Sequence, residues 1–137
     1  MYLFDSISLG YRKYIFFYYQ NRLEDYREKI NDAIDLVSMI EITQKDVLVI
    51  LGVSPESDCD FKGKICTDSI KRDIRVMSAS CEKLEEYIED IRTSNIKWND
   101  FSYRNKLKLK NNNLKEGVES LTKNINKRLH KATIEAI

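Results

Sequence analysis

Turn-forming residues are scarce in this chain, with one proline and four glycines among 137 residues. An all-β fold needs turn signals at roughly 8–12-residue intervals, so that class is excluded and the fold expected is all-α. Histidine occurs once: His130 lies beside Arg128 and Lys131 and reads as an exposed helix-end residue rather than a metal ligand or a triad base. The three cysteines, Cys59, Cys66 and Cys81, are an odd number at spacings that match no zinc site, which suggests free thiols in a reducing compartment. The longest apolar run, Tyr14 to Tyr19, has six residues, against the roughly 18–20 that a spanning helix needs. Arg12 and Lys13 ahead of it imitate the start of a signal peptide, but the run is too short and no small-residue cleavage site follows. A cytoplasmic location is therefore expected, without a membrane span.

What remains is charge and periodicity. The chain is 33% charged and 42% apolar, a composition suited to helices with solvated faces rather than to disorder. The net charge of +1 hides an asymmetry: residues 101–137 hold nine Lys/Arg against three Glu (+6), and residues 1–100 hold 14 against 19 (−5).

Three segments carry apolar residues at alternating steps of three and four, the seam of a helix that packs against other helices. The first runs Phe16, Tyr19, Leu23, Tyr26, Ile30, Ala33, Val37, Ile40, within a helix expected over about 9–51 with Ser8 as its N-cap. The β-branched run Val47–Ile50 would either break that helix or bury its end on all sides. The second seam is Ile70, Ile74, Met77, Cys81, Leu84, Ile88, Ile91, in a helix of about 66–94 that Thr67 or Asp68 can cap and Asn95 can end. The third is Leu114, Val118, Leu121, Ile125, Leu129, Ala132, in a helix of about 100–134 with Asp100 or Ser102 as its cap. Asn111–Asn113 are weak helix formers and residues 106–110 alternate with period two, so this helix could instead start after the asparagines. Short links make antiparallel neighbours the default. The expected product is a single domain, an elongated helical hairpin with a third long helix along it and a turn at 52–65.

No catalytic constellation is evident, and no cofactor or metal is expected. Glu85, Glu86, Glu89 and Asp90 fall mostly outside the second seam and read as a solvated face. No glycine carries phosphate-loop spacing. The chain is read as a non-enzyme.

Two features point to binding. Tyr11, Tyr14, Phe16, Phe17, Tyr18 and Tyr19 surround their helix instead of forming one stripe, so that end must be covered by the domain, a protein partner or a second copy. Arg104, Lys106, Lys108 and Lys110 follow the aromatics Trp98, Phe101 and Tyr103, a pattern that suits a polyanion such as nucleic acid. The plainer reading of that basic helix is a lysine-rich surface complementing the acidic first two helices.

The layout of long helix, turn with Phe61-Lys62-Gly63, and second helix resembles the WXG-type helical hairpins of type VII (ESX) secretion. The length and third helix are similar to YwqH-like partners of LXG-type toxins. Phe61 stands where those proteins carry tryptophan, and the sole tryptophan is Trp98. The Tyr-x-x-x-Asp/Glu secretion signature is absent, since Tyr87 is followed by Ile91 and Tyr103 by Leu107. The resemblance implies a non-catalytic, chaperone-like protein that binds a helical region of a client such as an LXG toxin. Nucleic-acid binding, or occlusion of another protein by a small phage or viral inhibitor, are the alternatives.

Overall fold

The structure, a computed structural model, describes the backbone of residues 2–93 and 101–136 and the side chains of residues 10–93 and 101–136. Three helices account for nearly all of these: α1 (Tyr2–Ile50), α2 (Asp68–Thr93) and α3 (Phe101–Ala136). Asn95, Trp98 and Asp100 lie outside the described residues.

Helix α1 starts well before the expected residue 9, and Ser8 sits within it. A capping residue type does not by itself start a helix, and the residues before Ser8 hold neither proline nor glycine to stop one. At the other end Gly52 takes a left-handed φ of 76°. Its N–H donates to the Val49 carbonyl at 3.0 Å, and the Val53 N–H reaches back to Leu48 at 2.9 Å, the bond pair of a Schellman stop. The β-branched run neither breaks the helix nor buries its end: Leu48 is buried, while Val49 and Ile50 face solvent. Thr67 directly precedes α2 and its carbonyl accepts the first helical bond, from Lys71, at 2.9 Å. Its hydroxyl donates to Oε1 of Glu41 at 2.9 Å, which ties the start of α2 to α1. Helix α3 runs unbroken through the three asparagines.

Cross-helix contacts define an up-down-up bundle. Arg27 pairs with Glu85 and Glu41 with Lys71, so α2 runs antiparallel to α1. Tyr103 donates to the Tyr87 carbonyl and Arg128 to the Cys66 carbonyl, so α3 reverses again and lies parallel to α1. The seams face one another as a single core. Leu23, Ile30 and Val37 of α1 meet Ile74, Leu84 and Ile88 of α2 and Leu114, Leu121 and Ile125 of α3. Each fully buried side chain of this kind contributes about 1.5–3 kcal/mol relative to exposure. The third seam extends further toward the N-terminus than its leucine spacing indicated, since Leu107 and Asn111 are also buried. Within the period-two stretch, Leu107 is buried and Leu109 is exposed, as a helix requires. Near the middle of the α2–α3 contact, the Met77 thioether rests against Gly117, where a side chain would collide with it.

Candidate functional site

At one end of the bundle, residues 11–19 of α1 lie beside residues 101–108 of α3. A groove of about 430 Å³ runs between them. Its α1 wall carries Tyr11, Tyr14, Tyr18 and Tyr19, its α3 wall Phe101, Arg104 and Lys108, and Ile15 and Leu107 close the inner side. Helical spacing produces this arrangement. On α1, positions 11, 15, 18 and 22 share a face, as do 101, 104, 105 and 108 on α3. The two faces meet because the helices are parallel and level.

The rings are poorly covered. Tyr14 is 66%, Tyr18 41% and Phe101 70% exposed. Tyr18 meets Tyr19 edge-on with centroids 5.1 Å apart, and the Arg22 guanidinium lies 5.2 Å from the Tyr18 ring centroid. Tyr19 is half-buried, and that burial, followed by its Tyr18 and Tyr11 neighbours, pushes its hydroxyl pKa up.

The electrostatics are one-sided. Residues 10–22 contain Arg12, Lys13 and Arg22, residues 101–115 contain five Lys/Arg, and neither stretch contains Asp or Glu. Nε of Arg104 is shielded from solvent and has no hydrogen-bond partner among the described residues. An unpaired buried donor of this kind costs about 1–3 kcal/mol, more when it is charged. Among the described residues, no ion pair joins a basic side chain of α3 to an acid on α1 or α2. Among the described residues, Lys131 pairs with Glu135 within α3. Four acids of the first two helices are engaged elsewhere: Glu41 and Glu85 cross-link α1 to α2, and Glu86 and Glu89 pair along α2 with Lys83 and Arg92.

The expected site residues divide. Tyr11, Tyr14, Tyr18 and Tyr19 converge with Arg104 and Lys108 on the groove. Phe16 packs partly buried against the core, and Phe17, exposed and edge-on to Phe16, is not part of the groove wall. Lys106 and Lys110 do not line it either.

Phe61 and Gly63 lie at the opposite end of the bundle. Gly63 has φ 84°, and a Cβ there would stand 3.0 Å from the Ala132 carbonyl oxygen and 3.2 Å from the Ala136 Cβ. Glycine is needed for backbone conformation and for close approach to α3. Phe61 is half-buried beside it, its N–H bonded to Oδ1 of Asp60 at 3.1 Å.

Cys59 and Cys66 are exposed free thiols, while Cys81 lies in the core, where burial raises its thiol pKa. His130 is exposed. Among the described residues there is no cluster of three or more metal-ligating side chains, and no helix is long and apolar enough to cross a membrane.

Comparison with protein-family models, curated proteins and solved structures found no match for this chain. The architecture, a small all-α bundle, is compatible with protein–protein interaction generally.

Proposed function

We propose that this chain is a non-catalytic helical binding protein that holds a protein client on the groove between α1 and α3. The observation that carries this reading is the groove itself: exposed tyrosines beside Arg104 and Lys108, over an apolar inner side. Tyrosine and arginine supply a large share of binding energy at interfaces, because they combine a wide contact area with a polar tip. Exposed apolar surface gathered in a concave strip marks such sites. If the likeness to WXG-type hairpins reflects kinship, the client is a helical region of an LXG-type toxin, kept soluble until delivery.

The same tyrosine–cation neighbourhood supports a second reading, single-stranded nucleic acid with bases stacked on the rings. In that case Lys108 contributes at the groove, and Lys106 and Lys110 act only through the surrounding field.

The test is capture of partners from the native host by the tagged chain, with and without nuclease, in wild-type and groove-altered forms. A protein retained after nuclease treatment, lost from Tyr14→Ala/Tyr18→Ala and kept by Lys127→Gln, is the expected result. Recovery that is indifferent to the groove variants removes the reading. Recovery that vanishes with nuclease replaces it by the nucleic-acid one.

A further inference from the structure

Resting on that reading, we infer that the client segment is an amphipathic helix with carboxylates at one end, laid along α1 and α3 as a fourth helix. The groove is not the only hollow between these two helices. A second, of about 210 Å³, opens further along, with Ala33 and Leu36 of α1 and Ile125 of α3 on its apolar side and Lys29 and Asp32 among its polar residues. Ile15 lies in the first hollow and Leu36 in the second, 21 residues later. Arg104 and Ile125 on α3 are also 21 residues apart. Twenty-one residues are three heptads, about 32 Å of helix, so both hollows fall on the same face of each helix.

A helix supercoiled along that face meets both hollows with one stripe of its own side chains, inserting apolar residues at heptad spacing. A nucleotide-sized ligand would need only one of them. A longer phosphate chain tracking the valley leaves the basic end and meets Asp32, on a stretch of α1 that also carries Glu24, Asp25 and Glu28.

Charge sets the ends of the occupant. The hollow at the aromatic end offers Arg104 and Lys108 with no acid among its described lining residues, and the second offers one lysine and one aspartate. The matching helix carries its carboxylates only where it meets the aromatic end. A guanidinium donates two parallel hydrogen bonds to a carboxylate, which would give Arg104, whose Nε has no partner among the described residues, an acceptor.

The test uses two synthetic helical peptides of about 24 residues, long enough to span both hollows. They share a leucine/alanine seam and differ only in glutamates or lysines in the first two turns. Each is titrated into the isotope-labelled full chain and followed by amide chemical shifts. The expected result is that the glutamate peptide binds at least about tenfold more tightly. It perturbs amides near Tyr14–Tyr19, Arg104–Lys108, Ala33 and Ile125, and its advantage shrinks with salt. Arg104→Gln/Lys108→Gln, checked for fold by circular dichroism, abolishes the preference.

Equal binding of the two peptides, failure of both, or shifts mapping elsewhere overturns the inference. So does tighter binding of a fluorescent oligo(dT) at the groove, or groove shifts that appear with protein concentration alone, which would make a second copy the occupant. If host capture still depends on the groove while the glutamate peptide fails, the binding reading stands and only the chemistry assigned to its client falls.

Discussion

The Tyr26 hydroxyl on α1 donates to Oδ1 of Asn111 on α3 across 2.8 Å, inside a core that is otherwise mostly aliphatic. Asn111 occupies the seam position between Leu107 and Leu114, and both partners are buried. A single polar residue at a seam position lowers stability but selects one register, because any slip leaves it unpaired. Here the pair fixes the level of α3 against α1, and therefore which residues face each other across the groove. Tyr26→Phe leaves the asparagine oxygen without its donor and is expected to cost about 1–3 kcal/mol in urea unfolding. Adding Asn111→Leu should recover most of that loss. A Tyr26→Phe protein as stable as the parent would show that the hydrogen bond contributes nothing.

Gly52 and Gly63 both have positive φ, but only Gly63 has α3 against it. Alanine at either position meets the left-handed backbone cost of about 1–2 kcal/mol. At Gly63 it also presses on the Ala132 carbonyl, and backbone cannot swing aside as a flexible side chain can. Gly63→Ala should therefore destabilise by about 1 kcal/mol or more beyond Gly52→Ala. Equal drops in melting temperature would mean that the loop relaxes freely away from α3.

Alkaline stability follows from three tyrosines. Burial is the leading cause of the raised hydroxyl pKa at Tyr19, Tyr26 and Tyr103, and Tyr103 is displaced furthest because Asp90 adds to its burial. For groups raised on folding, the stabilisation is complete below the unfolded tyrosine value of about 10 and is lost as pH climbs through the folded values. The urea midpoint should fall steadily above about pH 10, and Tyr103→Phe should flatten that slope most. A midpoint unchanged by alkali would contradict the burial of these hydroxyls.

At acid pH the sign reverses at Glu41. Its hydrogen bond with Lys71, helped by the Thr67 hydroxyl, holds its carboxyl below the usual glutamate range. The resulting stabilisation is present above about pH 4.3 and disappears as pH falls through the lower folded value. Because the pair is partly exposed, the effect is at the small end for ion pairs, up to about 1 kcal/mol. Glu41→Gln should remove that part of the acid dependence while leaving the alkaline limb unchanged. An acid limb identical in the two proteins would show that Glu41 titrates normally.

The three seams were legible because heptad spacing is a local property. Leu23, Leu84 and Leu121 are buried where their periods put them. Asn111 was hidden because a polar residue in a seam reads as a helix weakness until its partner, 85 residues away, is known. The aromatic run and the basic run were each visible as composition. That Tyr14 and Arg104 share a groove while Phe17 and Lys106 do not depends on rotation and level between α1 and α3, which sequence periodicity does not carry. Gly63 was read as the mark of a turn; its contact with α3 is tertiary and leaves no local trace.

The close fit of Gly63 to Ala132, with Arg128 bonded to the Cys66 carbonyl 62 residues earlier, has a consequence for synthesis. The α1–α2 hairpin can pair as soon as it leaves the ribosome, because its contacts are made within its own length. The end of its connecting loop, at residues 63–66, must wait for those 62 residues to be added before its α3 contacts exist. Until then residues 63–66 are exposed together with the hairpin face that α3 later covers. Residues 63–66 gain that cover only when α3 docks, so synthesis of α3 and protection of this end of the loop are a single event.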